Sequence, residues 1–342
     1  MKYIVFTRRK TEEDGGVYTY ILGLLELLDG HYNFIVFDRR NSFNYWIELF
    51  RSFNKKKIIS IHNIWSLVGL LTLILSKFTG NSKIFLHPHG MMEPWCLQQK
   101  KIKKEIFITL LGYFSRSDNI TLIATSNLEL NNLKRLFNRT NIVKVTPFVK
   151  SKFVGPFGES NNRNWLNIVY FGRFHEKKGL NLLIQAMHEL GDSIPLTFNL
   201  YGFGDNLYIE KIKNDAFGLK NFFFHGYLSY DDKWEVLKKC GALVLPSYSE
   251  NFGYVVPEAL SQGCHIITTL ETPWPYELSD ENCTVIKKLD VYSIKVALEQ
   301  YYGLIKSAEN LFKLEEKSKK HYSDNYSDNV AKNNYINKFT YD

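Results

Sequence analysis

The sequence predicts an α/β protein of two Rossmann-like, doubly wound domains facing across a cleft, and three observations predict it. Short apolar runs alternate with amphipathic stretches from the start of the chain, the rhythm of parallel strands joined by crossover helices. At 342 residues and 40.0 kDa the chain is long enough for two domains of ordinary size, each with its own core. A stretch rich in Gly, Ser and Asn, SKFVGPFGESNNRNW at 151–165, divides the chain and reads as a linker.

The first domain, 1–150, opens on the strand KYIVF, followed by the helix VYTYILGLLELL, the strand NFIVF, the helix YWIELFRSF and the strand KIISI. The longest apolar stretch, Trp65 to Leu75, is too short to span a bilayer and is expected as a buried helix. KIFLH, TLIAT and IVKVT complete the strands of this half. The second domain, 166–322, offers LNIVYFG, LTFNLYG, NFFFHG, ALVLP and HIITT, apolar runs suited to a parallel sheet covered on both faces. Two helical segments, about 290–320 and 325–338 with a break in HYSDNYSDN, end the chain, and 323–342 is expected to pack back on the first domain.

Composition limits the class of protein. Hydrophobic residues make up 45% and charged residues 23%, ordinary for a globular chain. MKYIVF runs at once into Arg8, Arg9 and Lys10, so no signal peptide is expected and the reading is cytoplasmic. Cys96, Cys240, Cys264 and Cys283 form no CxxC pair, which argues for a reducing compartment and against a zinc site. The net charge of +8 is uneven: residues 1–150 carry 22 Lys+Arg against 11 Asp+Glu, and the remainder 21 against 24. The clusters Lys55 to Lys57 and Lys100, Lys101, Lys103 and Lys104 could rest on anionic lipid headgroups or phosphate-bearing acceptors, or be a solvated face. They lack the interleaved aromatics of a nucleic-acid groove, so no nucleic-acid partner is expected.

The chemistry concentrates in the second half. After the strand ALVL, the segment PSYSENFGYVVPEALSQGC loops and enters a helix from about Gly253 to Gln262, with Glu258 more than one turn inside it. Such a turn aims unpaired backbone N–H groups at the carboxyl end of a sheet, where anions bind. Glu250 and Glu258, eight positions apart, suit the hydroxyls of a diol-bearing ligand beside that anion. Upstream, FGRFHEKKGLNLLIQAM places Arg173 just after a strand and Lys178 at a helix start, two cations able to neutralise a diphosphate.

GRFHEKKGLNLLIQA followed by LVLPSYSENFGYVVPEALSQGCHIITT closely resembles the paired signature of retaining glycosyltransferase family four, of the GT-B group. The E-x7-E spacing, the preceding PS, the FG after the first Glu and the EAL after the second carry the resemblance. It implies that Glu250 contacts the donor sugar, Glu258 the ribose diol, and Arg173 and Lys178 the diphosphate. Ser249, Asn251, Phe252 and Gly253 fall where the family gathers backbone N–H groups around sugar and phosphate, and Gly202 and Gly204, in YGFG, where the chain wraps the nucleotide. Gly15 and Gly16 look like the family's glycine loop. His89, in PHGM, matches its donor-sugar histidine, whereas His62 and His87 read as hydrogen-bonded residues at strand ends. A His87/His89 metal pair is disfavoured by the intervening Pro88 and by the lack of neighbouring acidic or Cys ligands. Ser126 resembles a small polar position of the family and equally suits a helix N-cap. Thr272-Pro273-Trp274 resembles a variant of bacterial surface-polysaccharide enzymes. Phe148, where the family often has a polar residue, departs from the pattern.

The resemblance implies a retaining transfer from a nucleoside-diphosphate sugar to a glycan or lipid-linked acceptor, on the inner face of the membrane, without a cofactor. No D-x-D occurs, in keeping with a metal-independent reaction. Two rivals stand beside it. A nicotinamide oxidoreductase lacks support because no G-x-G-x-x-G follows the first strand. A non-catalytic sugar- or nucleotide-binding scaffold of the same fold is the alternative.

Overall fold

The computed structural model describes residues 2–7, 15–37, 42–51, 56–62, 64–65, 67–76, 82–98, 101–151 and 163–339. Arg8 to Lys10, Lys55, Lys100 and most of the expected linker, 152–162, lie outside the described residues. The chain forms two compact units, one of residues 1–148 with 328–342 and one of 149–327.

In chain order the first unit holds β1 (Lys2–Phe6), α1 (Gly16–Leu27), β2 (Asn33–Phe37), α2 (Ser42–Arg51), β3 (Lys57–His62) and α3 (Leu67–Ser76). It continues with β4 (Ser82–His87), α4 (Pro94–Gln98), α5 (Lys101–Phe114), β5 (Ile120–Ala124), α6 (Asn127–Leu136) and β6 (Asn141–Lys144). All six strands are parallel, in the order β2-β1-β3-β4-β5-β6. The order reverses between β1 and β3, so the loops after these two strands leave in opposite directions and open a crevice at their carboxyl ends. Every residue of β3 is buried, as a central strand with helices on both faces requires. Ser126 is the N-cap of α6, its hydroxyl accepting from Glu129 N at 3.1 Å.

The second unit begins at β7 (Asn164–Phe171), followed by α7 (Leu180–Leu190), β8 (Thr197–Tyr201), α8 (Asn206–Asp215), β9 (Phe222–Gly226), α9 (Tyr230–Lys239) and β10 (Cys240–Leu245). Then come α10 (Val255–Ser261), β11 (His265–Thr269), β12 (Cys283–Ile286), α11 (Val291–Leu304) and α12 (Ala308–Tyr326). The parallel sheet runs β12-β11-β10-β7-β8-β9, with its reversal between β7 and β10.

Three boundaries correct the sequence reading. The strand β7 starts inside the stretch read as linker, and the preceding Arg163 is buried, donating to the carbonyls of Cys240 and Gln262 and paired with Glu315 at 3.6 Å. The last helices break at residues 305–307, and α12 continues through HYSDNY because Leu314, Ser318, Tyr322 and Tyr326 repeat every four residues along its buried face. A final helix, α13 (Asp328–Phe339), starts only after Ser327 and belongs to the first unit. The helix α10 starts at Val255, which puts Pro257 and Glu258 in its first turn. Proline is tolerated there because its missing N–H would have no helical acceptor. Glu258 is therefore not more than a turn inside.

Candidate functional site

At the switch point of the second unit, the loops after β7 and β10 are bound to each other. Gly179 carries φ +65°, and a Cβ there would stand 2.0 Å from the Pro246 carbonyl oxygen, so only glycine permits this approach. One residue earlier in that loop, Lys178 reaches across; two residues later in the other, Tyr248 N donates to the Lys177 carbonyl at 2.8 Å. Lys178 forms a close ion pair with Glu250 Oε1, which also accepts from the Ser247 hydroxyl at 2.7 Å. Burial alone would raise the Glu250 pKa; the Lys178 ammonium and the Ser247 hydroxyl overcome it and hold the carboxyl below its ordinary value, ionised at neutral pH.

Glu258 behaves differently. It is buried in the first turn of α10 and pairs through Oε1 with Lys233 Nζ of α9 at 2.6 Å. Here burial outweighs the lysine, and the pKa is raised. In both carboxylates the recorded bonds fall on Oε1, leaving Oε2 outside them. Ser249, beside Glu250, is buried with a hydroxyl that has no hydrogen-bond partner among the described residues. Buried polar atoms are rarely left so, and one here marks a place where a ligand completes the hydrogen bonding.

The loop after β11 supports this segment. Thr269 Oγ1 donates to the Ser247 carbonyl at 2.7 Å, and the fully buried Trp274 donates from Nε1 to the Phe252 carbonyl at 2.7 Å. The Thr272-Pro273-Trp274 segment therefore fixes the backbone on which Asn251, Phe252 and Gly253 sit. Arg173 is exposed at the end of β7, its carbonyl accepting from the Tyr170 hydroxyl at 3.0 Å. Gly202 and Gly204 have a packing reason: a Cβ on either would stand 1.9 Å from the Gly172 carbonyl oxygen or 2.3 Å from that of Phe174. Of the residues expected to act together, the second unit thus places Lys178, Ser249, Glu250 and Glu258 on the loops and helix that follow its central strands β7 and β10. Lys233 was not foreseen, the only signal being a lysine in a polar helix; Ser247 was read only as part of the PS before Glu250, with no role of its own.

Gly15, Gly16 and His89 belong to the first unit. Gly15 is the N-cap of α1 and Gly16 its first residue, after β1 at that unit's own switch point. His89 follows β4 with φ +51°, the only non-glycine residue of positive φ among those described. Its conformation is held by Glu129, whose buried carboxylate accepts from Gly90 N and Thr125 N, each at 2.7 Å, and from Thr125 Oγ1 at 2.8 Å. Burial raises the Glu129 pKa despite these bonds. His62 and His87, set aside in the sequence as strand-end residues, surround His89. They face each other across β3 and β4, stacked at 4.2 Å and 10°, and His62 Nδ1 lies 2.8 Å from His89 Nε2.

The ligand nitrogens of His62, His87 and His89 lie within 4.8 Å of one another, the one such cluster among the described residues. A metal ion must lie in the plane of each imidazole that binds it. His62 and His87 are nearly parallel and stacked, so their planes do not meet near the cluster. The donor set fits hydrogen bonding better than metal ligation.

Residues 158–320 match the family described as Glycosyl transferases group 1. The chain is 24% identical over 243 residues to an uncharacterized 41.2 kDa protein in the cps region of Klebsiella pneumoniae; the match covers 67% of this chain and 64% of that protein, less than two thirds of the relative's length. Anabaena HepE, solved in complex with UDP and glucose, superposes with a TM-score of 0.74 at 13% identity, over 97% of this chain and 98% of that one. WaaG, a glycosyltransferase involved in lipopolysaccharide biosynthesis, does so with a TM-score of 0.71 at 13% identity over 100% of both chains. The two six-stranded parallel-sheet units are those of the GT-B fold, and the family match falls on the second of them.

Proposed function

We propose that the protein is a retaining glycosyltransferase that moves a sugar from a nucleoside-diphosphate sugar to a hydroxyl of a glycan or lipid-linked acceptor during surface-polysaccharide assembly. The observation that carries this reading is the pair of buried carboxylates, each tied to a lysine through one oxygen with the other outside that bond, and the Ser249 hydroxyl, which has no partner among the described residues. Glu258 takes the ribose diol, Glu250 a hydroxyl of the transferred sugar, and Arg173 and Lys178 the diphosphate. In a front-face transfer the leaving diphosphate accepts the acceptor's proton while the two cations stabilise its growing charge, so no enzymatic nucleophile and no metal is needed. The relatives in a cps region and in lipopolysaccharide biosynthesis support the polysaccharide setting, and the UDP bound to HepE makes uridine the first base to test.

The test is a thermal-shift screen with UDP, GDP, ADP and their sugars, followed by titration calorimetry and a transfer assay. Glu258→Ala should weaken nucleotide binding by roughly 1.5–3 kcal/mol for each charge-assisted bond lost, about ten- to a hundredfold. Glu250→Ala should abolish transfer while binding persists, and EDTA should leave turnover unchanged. Undiminished nucleotide affinity in Glu258→Ala would remove the ribose role; activity lost to EDTA and restored by Mn²⁺ or Mg²⁺ would remove the metal-free mechanism. Binding without any transfer or hydrolysis would favour a scaffold.

Contact with an anionic membrane belongs to the same proposal. Among the described residues no helix is long and apolar enough to cross a membrane. The exposed face of α5 supports contact with a lipid surface instead.

A further inference from the structure

The helix α9 carries a lysine where its own pattern calls for an apolar residue. Lys233, Leu237 and Cys240 are spaced i, i+4 and i+7, so they share one face of the helix and its cap. Leu237 and Cys240 are completely buried in the core of the second unit. Lysine is almost never found on such a face unless it is paired. Its place along the helix adds a cost. Lys233 is the fourth residue of α9, near the positive end of the helix dipole, where Asp231 and Asp232 suit the field and a cation opposes it.

The ammonium ends against Glu258. Nζ is 2.6 Å from Oε1, with the lysine side chain 17% and the glutamate side chain 9% exposed. Oε2 makes no bond within the described residues, and it is not one of the buried atoms left without a partner, so it faces solvent. One oxygen is therefore turned to the lysine and the other outward. Two buried charges gain the fold little by pairing, because desolvation offsets most of their attraction. A pair that leaves one oxygen open serves a ligand better than it serves the core.

Glu258 is the only charged residue of α10. Of the elements around it, β10 and β11 bring the Cys240 thiol and the His265 imidazole, both at the amino ends of their strands and so away from the first turn of α10. From α12 come Glu315 and Lys319, paired with each other at 2.5 Å beside Gly263, past the end of α10. None of these acts on Glu258: burial raises its pKa, and the Lys233 ammonium lowers it. Without the lysine, burial is unopposed and the carboxyl keeps its proton to higher pH. An ionised carboxylate accepts from hydroxyls with both oxygens, whereas a protonated one has lost its charge and part of its acceptor capacity.

We infer that Lys233 is a positioning residue of the ribose site: it grips Glu258 by Oε1, turns Oε2 to the ligand, and thereby lets the site tell a ribose from a 2′-deoxyribose. This rests on the reading of Glu258 as the ribose contact given above. It requires no contact between Lys233 and the ligand.

The experiment is titration calorimetry on the full chain with whichever of UDP, GDP and ADP binds most tightly, and with its 2′-deoxy form, between about pH 5 and 9. The ratio of the two dissociation constants reads the ribose contact alone, because titration of the phosphates is common to both ligands and cancels. In the wild type the ribonucleotide should bind about tenfold more tightly at neutral pH, and this preference should fade as the pH drops through the Glu258 pKa. In Lys233→Met and Lys233→Gln it should fall to about twofold or less at neutral pH and recover as the pH rises, its midpoint about one unit or more above that of the wild type. Either variant suffices if the other does not fold. Lys233→Arg, which keeps the cation, should retain most of the preference, and Glu258→Gln should show none at any pH. A wild-type preference and pH profile in the Met or Gln variant would overturn the proposal. So would a preference reduced by the same factor at every pH, which is the mark of loosened packing in α9. A wild type that binds the nucleotide without preferring its ribose form would remove the ribose role of Glu258 and the proposal with it; binding of none of the three nucleotides would remove the nucleotide-sugar reading itself.

Discussion

Glu250 and Glu258 are both buried, both paired with a lysine, and expected to respond to acid in opposite directions. The Glu250 pKa is depressed in the folded protein, so its stabilising contribution is complete above the ordinary value of 4.5 and is lost as pH falls through the lower folded value. The Glu258 pKa is raised, so its contribution is present below 4.5 and is lost as pH rises through the higher folded value. Melting temperatures of the wild type, Glu250→Gln and Glu258→Gln across pH 3–7 check this. The advantage of wild type over Glu250→Gln should shrink below about pH 4.5, and its advantage over Glu258→Gln should shrink above that pH. Parallel trends would mean that the two lysines do not differ in their hold. A raised pKa at Glu258 also fits a carboxylate whose remaining oxygen is satisfied only by a ligand. Both glutamates were legible because their spacing is local and their neighbours form a signature. Lys233 and Glu129 were not, because strand order and helix packing, rather than sequence spacing, bring them to their partners.

Among the elements, α5 is the one whose pattern points outward. Ile102, Ile106, Leu110 and Tyr113 are 74%, 60%, 40% and 58% exposed, and their spacing of four, four and three lines them along one helical face. Lys103 and Arg116 are exposed beside them. An apolar stripe edged by cations suits the boundary between anionic headgroups and acyl chains. The purified chain should therefore sediment with phosphatidylglycerol vesicles and less with phosphatidylcholine. Ile102→Ser with Ile106→Ser should cut that binding at least tenfold, since burying each isoleucine contributes about 1.5–3 kcal/mol at most, with far-UV circular dichroism unchanged. Equal binding by the double variant would send the membrane contact elsewhere. The sequence located this region through its lysines, whereas the described structure places the stronger signal in the isoleucines between them. Strands were legible where buried parallel strands are continuous apolar runs; β12 (Cys283–Ile286), four residues interrupted by Thr284, was missed. Helix ends were less so: Ser, Asp and Asn in HYSDNYSDN suggest a break, yet the buried tyrosine repeat carries α12 through.

At the scale of the whole molecule, the chain builds most of one unit, then all of the other, and returns to the first with α13. Tyr335 and Phe339 of that helix are completely buried, Phe339 edge-on to Phe85 of β4 at 4.9 Å, and the Tyr335 hydroxyl accepts from Phe148 N at 3.2 Å. Phe148, the departure from the family's polar residue, is thereby a buried packing position whose side chain also lies against Gly23 of α1. Truncating a buried aromatic to alanine costs about 3–5 kcal/mol, and a domain has only about 5–15 to lose, so removing both rings should leave the first unit close to unfolded. The second unit contains its own six-stranded sheet and its own core, to which α13 contributes no residue. Deletion of residues 328–342 should therefore abolish slow hydrogen exchange in β1, β3 and β4 while leaving it intact in β7, β10 and β11, and a synthetic peptide of 328–342 added in trans should restore it in part. Protection in β3 and β4 that survives the deletion would show that the sheet of the first unit is stable without its last helix.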